Sequence, residues 1–434
     1  MPRRVLLVLP TTTYRAAAFL RAARRLDLEV VVGSEAASSL ASLRPHGELV
    51  IDLDDPDGAA ERAATFAAGT PLDAVVGVDE AAVVVAATIA RRLRLRSSPL
   101  AAVRATRDKW TQRQLLAAAG VPQPRAQLWP GPARGPLRPD PAIGFPCVVK
   151  PRDQAGSRGV IRVDGPAALR RATDRVMAML AADRGARGCP PPPGPPLVLE
   201  RFVAGPEVAL EGLLDGGRLR TLAIFDKPDP LDGPIFEETL YCTPSRLPRA
   251  LQRRVIATTR RAVSALGLTE GPVHVELRCP AAGPAVLEVA ARTIGGECAQ
   301  VLRFAGGGSL ETLVLRQALG EPDLVTRRAR GAVGILMLPI PRAGVLTGVR
   351  GLEAARREPG VDGVRITIPL GQRVVPLPEA DRYLGFAFAH GPDPAAVEAA
   401  LRRVRQRVRV RVAPDGLRPE TAPAADPKRA RPAR

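Results

Sequence analysis

Short apolar runs alternate with longer stretches rich in alanine and arginine over residues 4–95. The apolar runs predict β-strands, and the stretches between them have the spacing of amphipathic helices. The predicted strands are 5–9, 28–32, 49–53 and 74–78, and the predicted helices are 13–25, 57–68 and 80–93. This alternation is typical of a parallel sheet covered by helices, so residues 1–100 are predicted to form an α/β domain.

A small lobe is predicted next. A helix that starts near Lys109 and stops at Gly120 precedes it. Two Pro/Gly-rich stretches, 130–141 and 184–196, then enclose short apolar runs. We interpret residues 128–198 as a β-rich lobe with long loops.

The rest of the chain divides into three parts. Strands and helices alternate again from Leu197 to Leu319, and residues 101–325, which include the small lobe, are predicted to form a second domain. Residues 328–413 predict a compact α+β domain with strands at 364–368 and 384–389. The tail 414–434 is basic, lacks apolar periodicity and is predicted to be disordered.

The composition excludes two classes of partner. Of the 434 residues, 46% are hydrophobic and 25% are charged, and no apolar run is long enough to span a membrane. The net charge of +19 raises nucleic acid as a partner, but the arginines are scattered and aromatic residues make up only 3%. The densest basic segment of the chain before the tail, 402–411, is typical of the solvent-exposed face of a helix that is followed by a strand. We therefore expect no membrane insertion and no specific nucleic-acid binding.

The five cysteines indicate the compartment. They are odd in number, scattered, and without C-x-x-C spacing. This pattern indicates reduced thiols, and it argues against a disulfide framework or a zinc site. The apolar run at the start is too short for a signal peptide and is interpreted as the first strand. We expect a cytoplasmic protein.

Lysine is rare in this arginine-rich chain. Only four lysines occur among 63 basic residues, and Lys109, Lys150 and Lys227 lie in the middle third near glycines and carboxylates. Lysine is a compact charge that the planar guanidinium of arginine does not replace at phosphates. The three lysines are therefore candidates for anion binding. Chance survival is the alternative, and it accounts for Lys428 in the tail.

A glycine turn follows one of these lysines. Residues 148–151 predict a strand containing Lys150, and Gly156, Ser157 and Gly159 form a turn before the next strand. Glycines let backbone N–H groups approach an anion closely. No Walker motif occurs, so this turn is a different kind of phosphate site. Taken alone, the turn could equally just join a hairpin.

Several carboxylates follow predicted strands. Glu200 and Glu207 flank a turn, where each could accept a hydrogen bond from a base or ribose, or be an ordinary surface charge. Asp79 and Glu80 follow the fourth strand, where α/β sheets place ligands, although capping of the next helix is the favoured explanation. No G-x-G-x-x-G follows the first strand, so a dinucleotide site is unsupported.

A predicted hairpin brings Glu276 and Glu288 together. Paired carboxylates in apolar strands are costly unless a cation neutralises them, and Mg²⁺ suits such a pair. His274 and Glu276 also spell the H-x-E of zinc deaminases, but the required P-C-x-x-C is missing. His274 is therefore interpreted as a structural or substrate-side residue.

The order of these features resembles the ATP-grasp superfamily over about residues 1–325. Within it, the chain is most similar to carboxylate-amine ligases, including L-amino-acid ligases, with biotin carboxylase and carbamoyl-phosphate synthetase as relatives. The C-terminal region from Gly331 is similar to the extra domain of the amino-acid ligases. The resemblance implies an α/β ATP-grasp fold with an N-terminal pre-ATP-grasp domain and a C-terminal α+β domain.

The resemblance also implies roles for single residues. Lys109 and Lys150 would contact ATP phosphates, and the glycine turn would be a lid loop. The segment 200–207 would hold adenine and ribose. The implied ATP-binding residues are Lys109, Lys150, Gly156, Ser157, Gly159, Glu200, Phe202, Val203 and Glu207. The implied ligands of Mg²⁺, which Mn²⁺ could replace, are Glu276 and Glu288. The implied catalytic residues, which stabilise the transferring phosphoryl group, are Arg292 and Lys150. The implied substrate contacts are Glu237, Glu238, Gly295 and Gly296.

One position departs from the family. Many members have Asn two residues after the second metal glutamate, where this chain has Ala290. The number of metal ions therefore stays open, and a nucleotide-binding module without catalysis is an alternative.

The expected function is an ATP-dependent ligase that activates a carboxylate as an acyl-phosphate and couples it to an amine. A bicarbonate-activating, carboxylase-type enzyme is the alternative within the same fold. The substrates, the oligomeric state (with a homodimer as one option) and the role of Lys227 stay open.

Overall fold

The computed structural model describes most of the chain. The described residues are 2–37, 47–129, 131–132, 135–187, 197–305, 307–322, 324–380 and 382–415. Most of the predicted tail, from residue 416 on, lies outside the described residues, as do parts of the two Pro/Gly-rich stretches.

The N-terminal region forms the predicted parallel sheet. Its elements are β1 (Arg4–Val8), α1 (Ala16–Arg25), β2 (Glu29–Ser34), β3 (Glu48–Val50), α2 (Pro56–Gly69), β4 (Ala74–Gly77) and α3 (Val83–Leu93). The strand order is β3-β2-β1-β4, and all three pairings are parallel. The apolar run of β1 is buried on both faces, because Leu6 and Val8 pack beside α2 and α3 while Val5 and Leu7 pack beside α1. An uninterrupted apolar strand is expected in a sheet covered on both sides.

Two helices lead into the small lobe, α4 (Leu100–Thr106) and α5 (Lys109–Ala118). Asp108 caps α5 by accepting hydrogen bonds from the backbone N–H groups of Trp110 and Thr111. This cap fixes the start of the helix at Lys109, as predicted.

The small lobe is a four-stranded antiparallel sheet with one long helix. Its elements are β5 (Ala126–Trp129), β6 (Cys147–Pro151), β7 (Ile161–Val163), α6 (Pro166–Arg187) and β8 (Leu197–Arg201), in the strand order β5-β8-β6-β7. Strands β6, β7 and β8 agree with the sequence analysis, whereas β5 was not predicted. The 22-residue helix α6 was not predicted, and its C-terminal turn enters the stretch interpreted as a Pro/Gly-rich loop.

An eight-stranded antiparallel sheet forms the largest part of the molecule. The first elements of this part are β9 (Glu207–Asp215), β10 (Arg218–Lys227), β11 (Leu240–Thr243), α7 (Arg249–Ala265), β12 (Gly271–Arg278), β13 (Ala285–Ala290), a 3₁₀ helix (Cys298–Val301) and α8 (Leu310–Ala318). The C-terminal elements are β14 (Ala332–Leu338), β15 (Gly344–Arg350), α9 (Leu352–Arg356), β16 (Val361–Ile366), β17 (Arg373–Val374), β18 (Gly385–Gly391), α10 (Pro394–Arg407) and β19 (Arg409–Ala413).

This sheet joins the two regions that the sequence pattern separates. Its order is β13-β12-β9-β10-β11-β14-β18-β16, so three C-terminal strands continue the sheet of the preceding region. The junction is the β11–β14 pair, in which Leu240 lies opposite Leu336. The remaining strands β17, β15 and β19 form a small sheet of their own. The basic segment 402–411 is the end of α10 followed by β19, as predicted. No described helix has both the length and the apolar character needed to cross a membrane.

Candidate active site

A cleft lies between the small lobe and the large sheet. Fourteen of the sixteen predicted site residues line it: Lys109, Lys150, Gly156, Ser157, Glu200, Phe202, Val203, Glu207, Glu238, Glu276, Glu288, Arg292, Gly295 and Gly296. Gly159 and Glu237 are not among its lining residues. Residues that are distant in sequence thus meet in one cavity, while their individual roles stay predictions.

The two predicted metal ligands are direct neighbours across the β12–β13 hairpin. Glu276 lies opposite Glu288 in the strand register, as predicted. Oε1 of Glu288 is 3.3 Å from Nζ of Lys109. Burial alone would raise the pKa of Glu276, but Lys227 and His274 hold that pKa well below its ordinary value. An ionised carboxylate facing a second one is a donor set that fits Mg²⁺.

Lys150 is held by a buried ion pair. Its Nζ lies 2.7 Å from Oε2 of Glu200, whose Oε1 lies 2.7 Å from Nε of Arg113. Burial alone would raise the pKa of Glu200, but Arg113 and Lys150 together lower it to about 2. Both oxygens of Glu200 are thus bound to cations. Glu200 orients Lys150, and the predicted contact of Glu200 with adenine stays a prediction.

Acid should remove the stabilisation that this pair provides. Because the folded-state pKa of Glu200 is about 2 against an ordinary 4.5, its contribution is complete above pH 4.5 and is lost as the pH falls towards 2. The difference corresponds to on the order of 3 kcal/mol. We expect Glu200→Gln to lower the thermal unfolding midpoint strongly at pH 7 and much less at pH 3. Glu353→Gln, at an exposed glutamate, is the control. Equal lowering of the midpoint at both pH values would contradict this assignment.

Arg292 is anchored by a glutamate from the N-terminal domain. Nε of Arg292 forms an ion pair with Glu80, and Nη1 of Arg107 lies 2.8 Å from the other oxygen of Glu80. Burial alone would raise the pKa of Glu80, but the two arginines lower it to about 2. The explanation of Asp79 and Glu80 as helix caps is wrong, because α3 starts after Ala82 without a side-chain cap. Glu80 instead fixes the guanidinium of Arg292 at the cleft.

The predicted substrate turn is also held by the N-terminal domain. The backbone N–H of Gly296 donates to Oη of Tyr14 at 2.9 Å. Arg15 donates to the carbonyl oxygen of Ile294 at 2.8 Å and to Oγ1 of Thr293 at 2.9 Å. The sequence analysis missed Tyr14 and Arg15. Their position after β1, at the carboxyl end of a parallel strand, was the signal that could have found them.

The C-terminal strands supply the far end of the cleft. Met337 in β14 and Tyr383 before β18 line it together with Ile294 and Cys298. Met337 packs on Gly296, because a Cβ added at that glycine would lie only 2.6 Å from its sulfur. Met337 and Ile294 give this part of the cleft apolar surface, while burial and, in addition, the nearby Glu238 carboxylate raise the pKa of Tyr383 and that of Cys298. It could therefore contact both an uncharged part and an amino group of a substrate.

The C-terminal region also binds the glycine loop of the small lobe. The N–H of Gly159 donates to the carbonyl oxygen of Pro378 at 2.9 Å, and Nε of Arg158 donates to that of Glu379 at 3.0 Å. The Glu379 carboxylate forms a two-point ion pair with Arg175 of α6. Gly159 thus anchors the loop even though it does not line the cleft.

Loss of this anchor should weaken nucleotide binding if the glycine loop covers ATP. The Arg175–Glu379 pair is half-exposed, so we expect Glu379→Ala to cost at most about 1 kcal/mol, or roughly a fivefold weaker ATP affinity. Calorimetric titration with ATP measures this, with Glu353→Ala as the control. Unchanged ATP affinity would show that the contact does not govern the loop.

Three family models match consecutive parts of the chain. The ATP-grasp N-terminal domain matches residues 20–95, the ATP-grasp domain matches 143–301, and the L-amino acid ligase C-terminal domain 2 matches 336–413. The chain belongs to the ATP-grasp superfamily. The resemblance and the fold class inferred from the sequence are therefore confirmed.

Solved structures agree with this membership. The L-amino acid ligase from Bacillus licheniformis has a TM-score of 0.76 and 25% identity, and the match covers 95% of this chain and 99% of that one. Carboxyaminoimidazole ribonucleotide synthase from Aspergillus clavatus, solved with ATP, has a TM-score of 0.70 at 17% identity over 94% of this chain and 99% of that one. The second likeness shows the fold alone.

Sequence relatives include ligases that are longer than this ATP-grasp chain. Human carnosine synthase 1 is 29% identical over 77% of this chain, which spans 41% of that protein. The uncharacterized protein y4rH of Sinorhizobium fredii is 27% identical over 71% of this chain, which spans 61% of it. The chain thus spans less than two thirds of either relative.

Proposed function

We propose that this protein is an ATP- and Mg²⁺-dependent ligase that joins a carboxylate to an amine through an acyl-phosphate. One observation carries the proposal. The cross-strand pair Glu276 and Glu288, the lysines Lys109 and Lys150, and the anchored Arg292 all face one cleft. The match to the L-amino acid ligase C-terminal domain supports an amino acid or peptide-like substrate.

The proposed reaction has two steps. A carboxylate oxygen attacks the γ-phosphorus of ATP, and the bond from that phosphorus to the ADP oxygen breaks. The amine nitrogen then attacks the acyl carbon, inorganic phosphate leaves, and the nitrogen loses a proton to solvent. Phosphoryl transfer of this kind needs positioning and charge stabilisation, and it needs no protein nucleophile.

The cleft residues divide these tasks by their chemistry. Mg²⁺ would be held by Glu276 and Glu288, where it would neutralise phosphate charge. Lys150 presents a point charge that Glu200 holds in place. Arg292 presents a planar fork that Glu80 holds in place, which suits the oxygens of a transferring phosphoryl group or acyl-phosphate.

The position of the substrates follows from the polarity of the cleft. The turn Gly295–Gly296 lines the cleft and lies beside Tyr14 and Met337. Backbone N–H groups at a glycine turn can approach a carboxylate closely, but the N–H of Gly296 already donates to Tyr14, so a carboxylate would have to bind Gly295 or replace that contact. Met337 and Ile294 offer apolar contacts to a substrate side chain, and the nearby Glu238 suits a substrate amino group. We therefore expect amino acids as substrates.

Product formation tests the proposal. The purified protein is incubated with Mg-ATP and with pooled amino acids, dipeptides or bicarbonate, and ADP release is measured with mass spectrometry of the products. We expect amino acids to stimulate ADP release and to yield a condensed amide. Stimulation by bicarbonate alone would instead identify a carboxylase-type enzyme.

A nucleotide-binding module without catalysis is the second candidate, and Ala290 favours it. Ala290 is buried and its side chain offers no ligand atom. It lies opposite His274 in the β12–β13 hairpin that carries Glu276 and Glu288. Tight ATP binding without ADP release for any substrate pool would support this candidate and contradict the ligase proposal.

A further inference from the structure

Lys227 is enclosed by three carboxylates. Its Nζ lies 2.6 Å from Oε1 of Glu207, 2.6 Å from Oε1 of Glu238 and 3.0 Å from Oε1 of Glu276. The side chain is only 2% exposed. Lys227 is thus a buried ammonium group in the wall of the cleft, paired with three carboxylates.

The three carboxylates come from separate elements and converge on one point. Glu207 starts β9, Glu276 lies in β12, and Glu238 precedes β11. One oxygen atom from each lies within 4.8 Å of the other two, which is a spacing that could hold a metal ion. Carboxylate oxygens are hard ligands that divalent cations prefer. Without the lysine, this cage would therefore be a metal site in its own right.

Neighbouring groups balance only part of the charge. Nε of Arg278 lies 3.0 Å from Glu207, and Nε2 of His274 lies 3.5 Å from Glu276. Among the ion pairs of the described residues, Glu238 has Lys227 as its only partner. Removal of Lys227 would leave buried negative charge without compensation, which is strongly unfavourable.

We propose that Lys227 is a built-in cation that fills this cage and thereby reserves the Glu276–Glu288 pair for nucleotide-borne Mg²⁺. This inference rests on the proposed function, because it takes that pair as the metal site. Lys227 acts as a positioning residue. It binds Oε1 of Glu276. It also fixes the positions of Glu207, Glu238 and Glu276, the proposed ribose, substrate and metal residues, relative to one another before any ligand binds.

The chemistry of lysine explains why arginine does not stand here. An ammonium group has three N–H donors, and three carboxylate oxygens accept them. The ammonium is compact, whereas a guanidinium is a planar fork with five donors. Lys227 also lies opposite Glu207 in the β9–β10 register, so the strands themselves set its position.

Metal binding without nucleotide tests the proposal. The variant Lys227→Met keeps most of the side-chain volume and removes the charge. We expect it to bind one Mn²⁺ per chain, tighter than the wild type by on the order of tenfold or more, as measured by electron paramagnetic resonance in the absence of ATP. Mn²⁺ should also raise the unfolding temperature of the variant, while that of the wild type should change little.

A double variant is the matched control. Lys227→Met combined with Glu238→Gln removes one oxygen ligand of the cage, so the gained Mn²⁺ site should be lost. If Lys227→Met unfolds in chelator, refolding on addition of Mn²⁺ supports the proposal. Unfolding in both conditions overturns it.

Two further results would overturn the proposal. One is a folded Lys227→Met protein that binds Mn²⁺ no better than the wild type. The other is a gained site that persists in the double variant. Neither measurement uses substrate or turnover. A failure of the ligase proposal, seen as ADP release that no substrate stimulates, is therefore distinguishable from a failure of this one.

Discussion

Replacing Glu288 with glutamine is expected to lower turnover by about a thousandfold while the protein stays folded. The amide keeps the shape of the side chain but is a much weaker ligand for Mg²⁺ than a carboxylate. Glu276 alone would then have to hold the ion, with Oε1 already committed to Lys227. Folding should survive because Lys109, the partner of Glu288, also donates to the backbone carbonyl of Gln154.

The measurement is ADP release at saturating Mg-ATP with the best substrate pair. Circular dichroism and thermal unfolding establish that the variant is folded. Glu61→Gln, at an exposed glutamate of α2, controls for the loss of one negative charge. Activity close to that of the wild type in folded Glu288→Gln would rule out the proposed metal pair.

The parts of the fold that could be predicted are those fixed by local pattern. Strands β1, β2 and β4 of the N-terminal sheet contain continuous apolar runs, which the local sequence shows without knowledge of what packs on them. The pairing of Glu276 with Glu288 also followed from sequence, because a short turn joins two alternating strands. Hairpins are local, so their register depends on few residues.

The joined sheet could not be predicted in the same way. Leu240 and Leu336 are neighbours in space across β11 and β14, but a helix, a hairpin and the whole of α8 lie between them in sequence. Nothing in either strand alone identifies its partner. The helix α6 was missed for another reason, because its apolar residues show little helical periodicity and its end enters a Pro/Gly-rich stretch.

The site shows the same limit at the level of side chains. Residue type and strand position pointed to Lys150, Glu276 and Glu288, and the resemblance to the ATP-grasp superfamily supplied others such as Arg292 and Gly296. The groups that orient them were missed, because Arg113 pairs with Glu200 from 87 residues away and Glu80 pairs with Arg292 from 212 residues away. Such pairs depend on how elements pack together, and no local spacing encodes them.

Arg292→Lys is expected to lower kcat by about a hundredfold or more, with little change in ATP affinity. The guanidinium binds Glu80 through Nε and the carbonyl oxygen of Thr293 through Nη1. These two contacts fix the direction in which its remaining N–H groups point. Burial alone would lower the pKa of Arg292, but Glu80 and Glu288 raise it above its ordinary value. A lysine keeps the charge. Its ammonium lacks the planar fork that lets Arg292 bind Glu80 through one edge and present its other N–H groups, in a fixed direction, to a transferring phosphoryl group.

Glu80→Gln separates the position of Arg292 from its charge. This variant keeps the arginine and weakens the contact that orients it, so we expect an intermediate loss of kcat, about tenfold. Measuring kcat and the KM for ATP in both variants tests the argument, and rescue of Arg292→Ala by added guanidinium would show that the fork itself acts. If Arg292→Lys kept the wild-type kcat, a positive charge alone would suffice, and the ion pair with Glu80 would have only a structural role.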